Sequence, residues 1–192
     1  MKEDNIVFNQ QDLEKDSKAN LYRPYQQCKM SVLDTIADPN ITFDENGVSN
    51  YYDEYKQAEK RFLFKGKIGN LKLKDDINRI KKHSKGKKYD CILGLSGGVD
   101  STYLCLLAKE QGLNPLIVHF DNGWNSELAQ HNIENTIQKC SFDLQTYVVN
   151  WQDFKELQLS YLKASVVDIE VLTDQGFMSI LYKQARKWNI KF

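Results

Sequence analysis

The chain has 192 residues, and its 26 basic and 26 acidic side chains give a formal net charge of zero. This length fits one full domain with a small addition, and the balanced charge excludes a global field that would draw the chain onto nucleic acid or an anionic membrane. Because no apolar run reaches membrane-spanning length and the first residues lack a secretory signal pattern, we expect a cytoplasmic protein without a membrane span.

The amino-terminal third of the chain is predicted to contain little regular structure. Residues 1–25 are polar and weakly patterned, which predicts a flexible leader. Residues 26–64 carry two turn signals, Asp38-Pro39-Asn40 and Glu45-Asn46-Gly47, around the short apolar run 41–43. Turn residues at this density predict a small irregular subdomain.

A charged surface helix is predicted over residues 71–82, because apolar and charged positions interleave there. It belongs to a main domain that we place at residues 65–192. A lysine cluster comes just before the first predicted strand and consists of Lys81, Lys82, Lys85, Lys87 and Lys88. No row of aromatic side chains accompanies these lysines, so we interpret the cluster as a solvated face and expect no nucleic-acid partner.

Apolar runs alternate with helical segments through the rest of the chain. The predicted strands cover residues 90–95, 115–120 and 144–149, and the predicted helices cover 101–111, 126–139, 152–164 and 175–188. Such alternation is typical of an α/β fold with a Rossmann-like parallel sheet and helices on both faces. Ligands of these sheets bind at the carboxyl ends of the strands. Residues 189–192 resemble the beginning of a further strand.

The most distinctive motif joins the first predicted strand to the first helix of the sheet. Residues 96–101 read Ser-Gly-Gly-Val-Asp-Ser. Paired glycines let a backbone approach a ligand closely, and successive N–H groups at a helix start form an anion-binding nest. Because the motif lacks both the Walker A ending and the dinucleotide fingerprint, it predicts a different phosphate loop. A plain turn with Asp100 as the helix cap is the alternative.

This motif resembles the pyrophosphate loop of the ATP pyrophosphatase (PP-loop) superfamily, which has the adenine nucleotide alpha-hydrolase-like fold. Its members use ATP to adenylate a substrate and release pyrophosphate, so the resemblance implies ATP and Mg²⁺ as cofactors. It implies ATP binding by the loop and the residue before it, namely Leu95, Ser96, Gly97, Gly98, Val99, Asp100 and Ser101. Ser96, Asp100 and Ser101 are the implied catalytic residues, and Asp100 is the implied magnesium ligand.

The end of the second predicted strand is the other part of the implied ATP site. In PP-loop enzymes this edge faces the adenosine, so we expect backbone groups of His119 and Phe120 to bind adenine. Asp121 or Asn122 is expected to reach the ribose. A plain turn at Asp121-Asn122-Gly123 is the alternative for these side chains.

Acidic residues after position 165 form a third group of candidates. They lie among or just after apolar residues, ahead of the last predicted helix, and they are Asp168, Glu170 and Asp174. Magnesium bound with phosphates takes one or two carboxylates, so these residues are candidates for a magnesium ligand or a substrate contact. The alternative is a helix cap formed by Thr173 and Asp174.

Three segments, 32–35, 38–48 and 89–101, together resemble the N-acetyl sugar amidotransferase family of this superfamily. Members convert an acetamido group on a bacterial surface sugar to an acetamidino group, and a separate glutaminase with its synthase-like subunit supplies the ammonia. The resemblance implies an ATP-dependent amidotransferase that acts on a nucleotide- or carrier-linked N-acetyl sugar in lipopolysaccharide or other surface-glycan biosynthesis.

The sequence differs from this family in two ways, and each difference changes what we predict. Family members carry two Cys-x-x-Cys pairs that suit a tetrahedral zinc site, whereas the corresponding residues here are Cys28-Lys29-Met30-Ser31 and Ser49-Asn50-Tyr51-Tyr52. We therefore predict no zinc and a degenerate zinc-ribbon-like subdomain. Members also continue beyond the position of Phe192, so we expect a carboxyl-terminally incomplete ATP-binding domain. A non-catalytic ATP-binding remnant, half of a split enzyme and an RNA-thiolating PP-loop enzyme are the alternative functions.

Overall fold

The computed structural model describes residues 23–192, so nearly all of the predicted leader over 1–25 lies outside the described residues. The chain divides into two compact units, Met1–Asn70 and Leu71–Phe192. Helix α2 (Gly66–Ser84) runs from the first unit into the second. It begins five residues before the predicted helix over 71–82, since the prediction depended on the interleaving of apolar and charged positions from Leu71 onward.

The first unit is built from short turns and one helix. Two isolated antiparallel bridges, Gln27 with Asp34 and Phe43 with Ser49, hold the turns. Sequence analysis did not predict helix α1 (Asn50–Phe62), which buries none of its residues. Ser49 caps this helix by accepting a hydrogen bond from the N–H of Tyr52, which satisfies one of the free donors at a helix start.

The second unit contains a three-stranded parallel sheet in the order β1-β2-β3, which confirms the predicted α/β class. Its strands are β1 (Ile92–Gly94), β2 (Leu116–Asp121) and β3 (Leu144–Val148). Residues 189–192 form no strand, but the carbonyl of Phe192 accepts a hydrogen bond from the N–H of Ile92 at 2.9 Å. The prediction of a further strand is therefore met only by this single contact at the edge of β1.

Helices cover both faces of the sheet because successive side chains of β2 point to opposite sides. Ile117 packs in a cluster with Cys105 of α3 (Val99–Glu110) and Ile133 of α4 (Glu127–Cys140). Leu116 and Val118 belong to a second cluster that includes residues of α6 (Val171–Trp188). Helix α5 (Trp151–Lys163) follows β3.

Two close contacts bring α6 against the sheet near the carboxyl ends of the strands. A Cβ atom on Gly94 would lie 1.9 Å from the ring of Phe177, and one on Gly176 would lie 2.6 Å from the ring of Phe120. Both positions therefore need glycine for the helix to approach this closely. Helix α6 begins four residues before the predicted start at 175, so Thr173 and Asp174 lie in its first turn.

Within residues 23–192, no helix is both long enough and apolar enough to cross a membrane.

Candidate functional site

The phosphate loop, residues 96–101, connects the end of β1 to the start of α3. Gly97 has a φ of +82°, and a Cβ atom there would lie 2.3 Å from the carbonyl oxygen of Ala129. The left-handed backbone and the close approach of α4 each exclude a side chain. Gly98 has an extended backbone with a φ of −78°, and a Cβ atom there would meet only the Ser96 hydroxyl, at 3.4 Å.

The start of α3 presents unused backbone donors. Gly98 is the N-cap residue and supplies no side-chain cap, so Asp100 is not the cap of the plain-turn alternative. The N–H of Thr102 donates to the carbonyl of Gly98 at 3.2 Å. The N–H groups of Val99, Asp100 and Ser101 precede this first helical hydrogen bond and lack an intrahelical acceptor. Together with the partial positive charge of the helix start, they form a site for an anion such as phosphate.

The two loop serines hold the loop in this shape. The hydroxyls of Ser96 and Ser101 lie 3.1 Å apart, and the Ser101 hydroxyl oxygen accepts from the N–H of Ser96 at 3.2 Å. The Ser96 hydroxyl oxygen accepts from the N–H of Gly98 at 3.3 Å. Their hydrogen bonds therefore fix the backbone, and a direct catalytic part for either serine stays a prediction.

Asp100 is one residue that could hold a magnesium ion. It is exposed and is the acidic residue in the first turn of α3. No group of three or more histidine, cysteine, aspartate or glutamate side chains suited to a metal ion occurs in the described part of the chain. Magnesium bound with phosphates needs only one or two carboxylates, so Asp100 beside the phosphate-binding N–H groups fits this ion.

A recess of about 300 Å³ lies beside the loop at the carboxyl ends of β1 and β2. We call it the first recess, and its lining residues are Leu95, Ser96, His119, Phe120, Asn122, Asn125, Glu170, Thr173, Asp174 and Phe177. It brings together five residues that the sequence predicts for ATP binding: Leu95 and Ser96 after β1, His119 and Phe120 at the end of β2, and Asp174 on α6. Gly97, Gly98 and Val99 line a separate groove of about 580 Å³ between α3 and α4.

His119 connects the loop to the end of β2. Its Nδ1 lies 2.8 Å from the carbonyl oxygen of Leu95, and its Nε2 lies 3.2 Å from the side-chain amide nitrogen of Asn125. A carbonyl accepts and an amide NH₂ donates, so we assign a proton to Nδ1 and the acceptor role to Nε2. The buried imidazole thus holds the residue that precedes the loop, with both of its nitrogens engaged.

In the turn after β2, the side chains that were expected to contact ribose form hydrogen bonds within the protein. Asp121 Oδ1 accepts from the N–H of Gly123 at 3.0 Å and from the side chain of Asn125 at 3.2 Å. Asn122 accepts from the N–H of Trp124 at 3.1 Å and donates to the Thr173 hydroxyl at 3.1 Å. These contacts agree with the plain-turn alternative, and a ribose contact stays a prediction.

Phe120 and two of the three acidic candidates line the first recess, whereas the third acidic candidate does not. The ring of Phe120 is parallel to that of Tyr147, with centroids 6.2 Å apart and planes 8° apart, and Phe120 also lines the first recess. Glu170 and Asp174 line that recess, whereas Asp168 does not. Asp168 Oδ1 accepts instead from the N–H of Glu170 at 3.0 Å, a local turn that precedes α6.

Three members of the lysine cluster bind groups within the protein. Lys81 donates to the carbonyl of Gln111 at 2.6 Å, and Lys87 donates to the carbonyl of Asn189 at 2.6 Å. Lys88 forms an ion pair with Asp143 at 3.0 Å. These contacts support the interpretation of the cluster as an ordinary surface.

Cys28, the cysteine of the predicted degenerate zinc site, is buried in the first unit. Its buried Sγ accepts hydrogen bonds from the N–H groups of Met30 at 3.4 Å and Ser49 at 3.3 Å. Burial raises the pKa of the thiol, but hydrogen bonds from Ser31, Ser49 and the backbone outweigh burial and lower it to about 6. Serine hydroxyls and backbone donors therefore surround the sulfur where a second and third thiolate would be needed for zinc.

Three curated proteins are similar to part of this chain in sequence. An uncharacterized protein of Methanocaldococcus jannaschii is 36% identical over 88 residues, which is 44% of this chain and 32% of that protein. The 7-cyano-7-deazaguanine synthase of Methanospirillum hungatei is 33% identical over 91 residues, 47% of this chain and 37% of the relative. The tRNA(Ile)-lysidine synthase of Chlamydia pneumoniae is 50% identical over 44 residues, 23% of this chain and 13% of the relative. The chain thus spans between 13% and 37% of the length of these relatives.

Two solved structures match part of this chain. The NMN synthetase of Francisella tularensis has a TM-score of 0.45 and 17% identity, with 61% of this chain and 50% of that chain covered. The NH3-dependent NAD synthetase of Campylobacter jejuni has a TM-score of 0.46 and 18% identity, with coverage of 62% and 53%. No protein-family model matches the chain.

The parallel sheet and the glycine loop ahead of α3 define an α/β protein with a candidate phosphate-binding loop. The sequence matches are more specific, because over parts of its length the chain is similar to enzymes of the adenine nucleotide alpha-hydrolase, or PP-loop ATP pyrophosphatase, superfamily. The finer resemblance to N-acetyl sugar amidotransferases stays a prediction.

Sequence analysis did not find every residue of the site. Asn125 and Phe177 line the first recess, and neither was predicted. The polar run that follows β2 was a signal for Asn125, because side chains just beyond a parallel strand lie where ligands bind. Phe177 offered no such signal, since its place depends on the approach of α6 to Gly94.

Proposed function

We propose that this chain is the ATP-binding part of an N-acetyl sugar amidotransferase. The observation that carries the proposal is the geometry of the phosphate loop, whose helix start leaves the N–H groups of Val99, Asp100 and Ser101 without an intrahelical acceptor and whose first residue, Ser96, lines the first recess. Such a site suits the phosphate end of ATP. Similarity to enzymes of the PP-loop superfamily supports the use of ATP, and the resemblance of three segments to the amidotransferase family supports the acceptor.

The proposed reaction makes an unreactive amide oxygen into a leaving group. The acetamido oxygen attacks the α-phosphate of ATP, the bond to the β-phosphate breaks, and pyrophosphate leaves with its electron pair. Ammonia then adds to the adenylated imidate carbon, and AMP departs with the former amide oxygen while the nitrogen loses its extra proton. The products are an acetamidino sugar, AMP and pyrophosphate, and no covalent enzyme nucleophile is needed.

In this proposal the chain contributes positioning and charge stabilisation. The N–H groups at the start of α3 hold the departing pyrophosphate, whose negative charge grows as the bond breaks. Asp100 would hold Mg²⁺, which supplies positive charge to the phosphates when it is bound. His119 keeps the carbonyl of Leu95 fixed, so the loop keeps its shape during the reaction.

The acceptor and the partners are also part of the proposal. The acceptor is a nucleotide- or carrier-linked N-acetyl sugar, and a glutaminase with a synthase-like subunit supplies ammonia. Surface-glycan precursors and ATP meet in the cytoplasm, so we place the reaction there. Because the chain spans only a part of the length of its curated relatives, the complete activity is itself a proposal.

An RNA-modifying PP-loop enzyme is the second candidate function. The observation that favours it is the similarity to a protein named tRNA(Ile)-lysidine synthase, at 50% identity over 44 residues. The zero net charge and the engaged lysines of the cluster argue against an RNA acceptor. Binding of tRNA that weakens steeply with added salt would favour this candidate.

The test is a reconstituted reaction with ATP, Mg²⁺, an ammonium salt, UDP-N-acetylglucosamine as the acceptor probe, and the partner proteins. We expect AMP and pyrophosphate in equal amounts, together with a sugar in which NH has replaced the acetamido oxygen, detected by mass spectrometry. Gly97→Asp is the matched control and should abolish all three products. ATP binding without any AMP, with all partners present, would instead indicate a non-catalytic remnant.

A further inference from the structure

A second recess of about 300 Å³ adjoins the first and is not assigned by the ATP site. The two recesses share three lining residues, Asn122, Glu170 and Thr173. A molecule in the second recess would therefore lie directly against a nucleotide in the first. This adjacency is what a group-transfer reaction needs, because the acceptor must reach the α-phosphate of ATP.

One wall of the second recess is apolar and unusually exposed. Trp124 lines it with 62% of its surface exposed, and Leu162 and Ile169 are exposed by 54% and 50%. Large aromatic side chains are usually buried, so an exposed indole that faces a recess marks a binding surface. The rest of the lining is polar and consists of Asn122, Gln158, Glu170 and Thr173.

The indole of Trp124 is held in place before any ligand arrives. The main-chain N–H of Trp124 donates to Asn122 Oδ1 at 3.1 Å. The indole ring meets the ring of Trp151 edge to face, with centroids 5.2 Å apart. Gly123 has a φ of +81°, and a Cβ atom there would lie 2.7 Å from the Trp151 ring. The turn therefore needs glycine at this position for Trp151 to support Trp124.

An apolar flat wall opposite a polar rim suits a pyranose ring. One face of such a ring presents C–H groups, which pack on an aromatic surface, while its edge carries hydroxyls that need hydrogen-bond partners. The Glu170 carboxylate is an acceptor, and the side-chain amides of Asn122 and Gln158 both donate and accept. A recess of this volume lies at the lower end of the range for small-molecule sites, about 300–1,000 Å³, and fits a single sugar ring.

We propose that the second recess binds the acetamido-sugar ring of the acceptor against Trp124 and directs its acetamido group toward the first recess. This inference rests on the proposed function and extends it, because it names the residues that select a sugar. Trp124 is here a specificity residue, and it takes no part in binding ATP.

The test uses Trp124 as its own reporter. The chain has three tryptophans, so Trp151→Phe with Trp188→Phe leaves Trp124 as the sole indole and keeps an aromatic ring beside it. N-acetylglucosamine is the sugar probe, and uridine and adenosine are the nucleoside probes. With ATP and Mg²⁺ saturating, we expect N-acetylglucosamine to shift the emission of Trp124 and the nucleosides to leave it unchanged.

Substitution then separates the sugar from the nucleotide. Trp124→Ala should weaken N-acetylglucosamine binding by about tenfold or more, measured by calorimetry, and change ATP affinity by less than about twofold. Trp124→Phe should keep most of the sugar affinity. The matched control is Tyr182→Ala, which removes another exposed aromatic ring that lines neither recess nor the groove between α3 and α4 and should change neither affinity.

Different outcomes would contradict the sugar assignment and the proposed function. A shift of Trp124 emission by uridine or adenosine, with none by N-acetylglucosamine, would overturn the assignment of a sugar in favour of a base. N-acetylglucosamine binding that is absent, or equal in the parent chain and in Trp124→Ala, would overturn it while leaving ATP binding intact. Failure of the parent chain to bind ATP would overturn the proposed function itself.

Discussion

The two units of the chain are stabilised in different ways. In the second unit, β2 lies between two clusters of buried apolar side chains, and Ile117 and Val118 are completely buried. In the described part of the first unit, the buried side chains are those of Cys28, Thr35, Ile41 and Ser49. Two of these four carry hydroxyls, and one is a thiol whose sulfur accepts several hydrogen bonds. The second unit therefore depends mainly on apolar burial, and the first depends mainly on hydrogen bonds.

Aspartate-led turns supply much of the order in the first unit. Asp34 Oδ1 accepts from the N–H of Ile36 at 2.9 Å and of Ala37 at 2.7 Å. Asp44 Oδ1 accepts from the N–H of Asn46 at 2.9 Å and of Val48 at 2.8 Å. Such turns fix the chain locally but bury little apolar area. The phosphate loop belongs to the unit with the rigid apolar support, which is the one that can hold N–H groups precisely.

The largest expected effect is on the sheet of the second unit. Ile117→Ala removes a completely buried side chain that packs with α3 and α4, so unfolding should become easier by about 2–5 kcal/mol. Denaturant unfolding followed by tryptophan fluorescence measures this change, since Trp124, Trp151 and Trp188 all lie in the second unit. The control is Leu128→Ala, an exposed position on α4, which should change stability by less than about 0.5 kcal/mol. Equal effects would contradict the two-cluster description of the core.

A smaller, pH-dependent effect is expected in the first unit. The pKa of Cys28 is about 6 in the folded chain, whereas the thiol of a cysteine in an unfolded chain has a pKa of about 8.5. Between these values the unfolded chain binds a proton that the folded chain does not, so the free energy of unfolding should rise with pH. This contribution is complete above the unfolded pKa and is lost as the pH falls through about 6.

Thiolate absorbance in the ultraviolet measures the titration of Cys28 directly. Burial raises the pKa of Cys91 to about 12 and that of Cys105 to about 11, so these thiols stay protonated over the range of interest. The difference between the parent chain and Cys28→Ser isolates the signal of Cys28, and Cys28→Ser should lose the associated pH dependence of stability. A midpoint near the unfolded value in the folded parent chain would show that the hydrogen bonds do not stabilise the thiolate.

The sheet was predictable because each strand is a short apolar run next to a helical pattern. The three strands and their parallel arrangement follow from this alternation, and α4 and α5 begin within one residue of their predicted starts. Helix α1 was not predictable in the same way, because it buries no residue and therefore leaves no apolar period in the sequence. The early start of α6 was missed because apolar and acidic residues alternate before position 171.

The candidate site was predictable only where a local motif carries it. The phosphate loop follows from six consecutive residues, and the glycine at position 97 has the positive φ that such a loop requires. The contact of His119 with Leu95 and the shared wall formed by Glu170 and Thr173 depend on residues far apart in the chain. The exposure of Trp124 could not be predicted from the sequence either, since hydrophobic patterns predict aromatic residues to be buried.

The most direct test of the account is calorimetric titration of ATP and Mg²⁺ into the parent chain, Gly97→Ala and Gly98→Ala. Both substitutions add one methyl group to the same loop, but only the one at Gly97 meets a left-handed backbone and the Ala129 carbonyl. We predict that Gly97→Ala abolishes measurable binding while Gly98→Ala retains it. ATP binding that survives Gly97→Ala unchanged, or that is absent from a folded parent chain, would contradict the assignment of residues 96–101 as the phosphate loop.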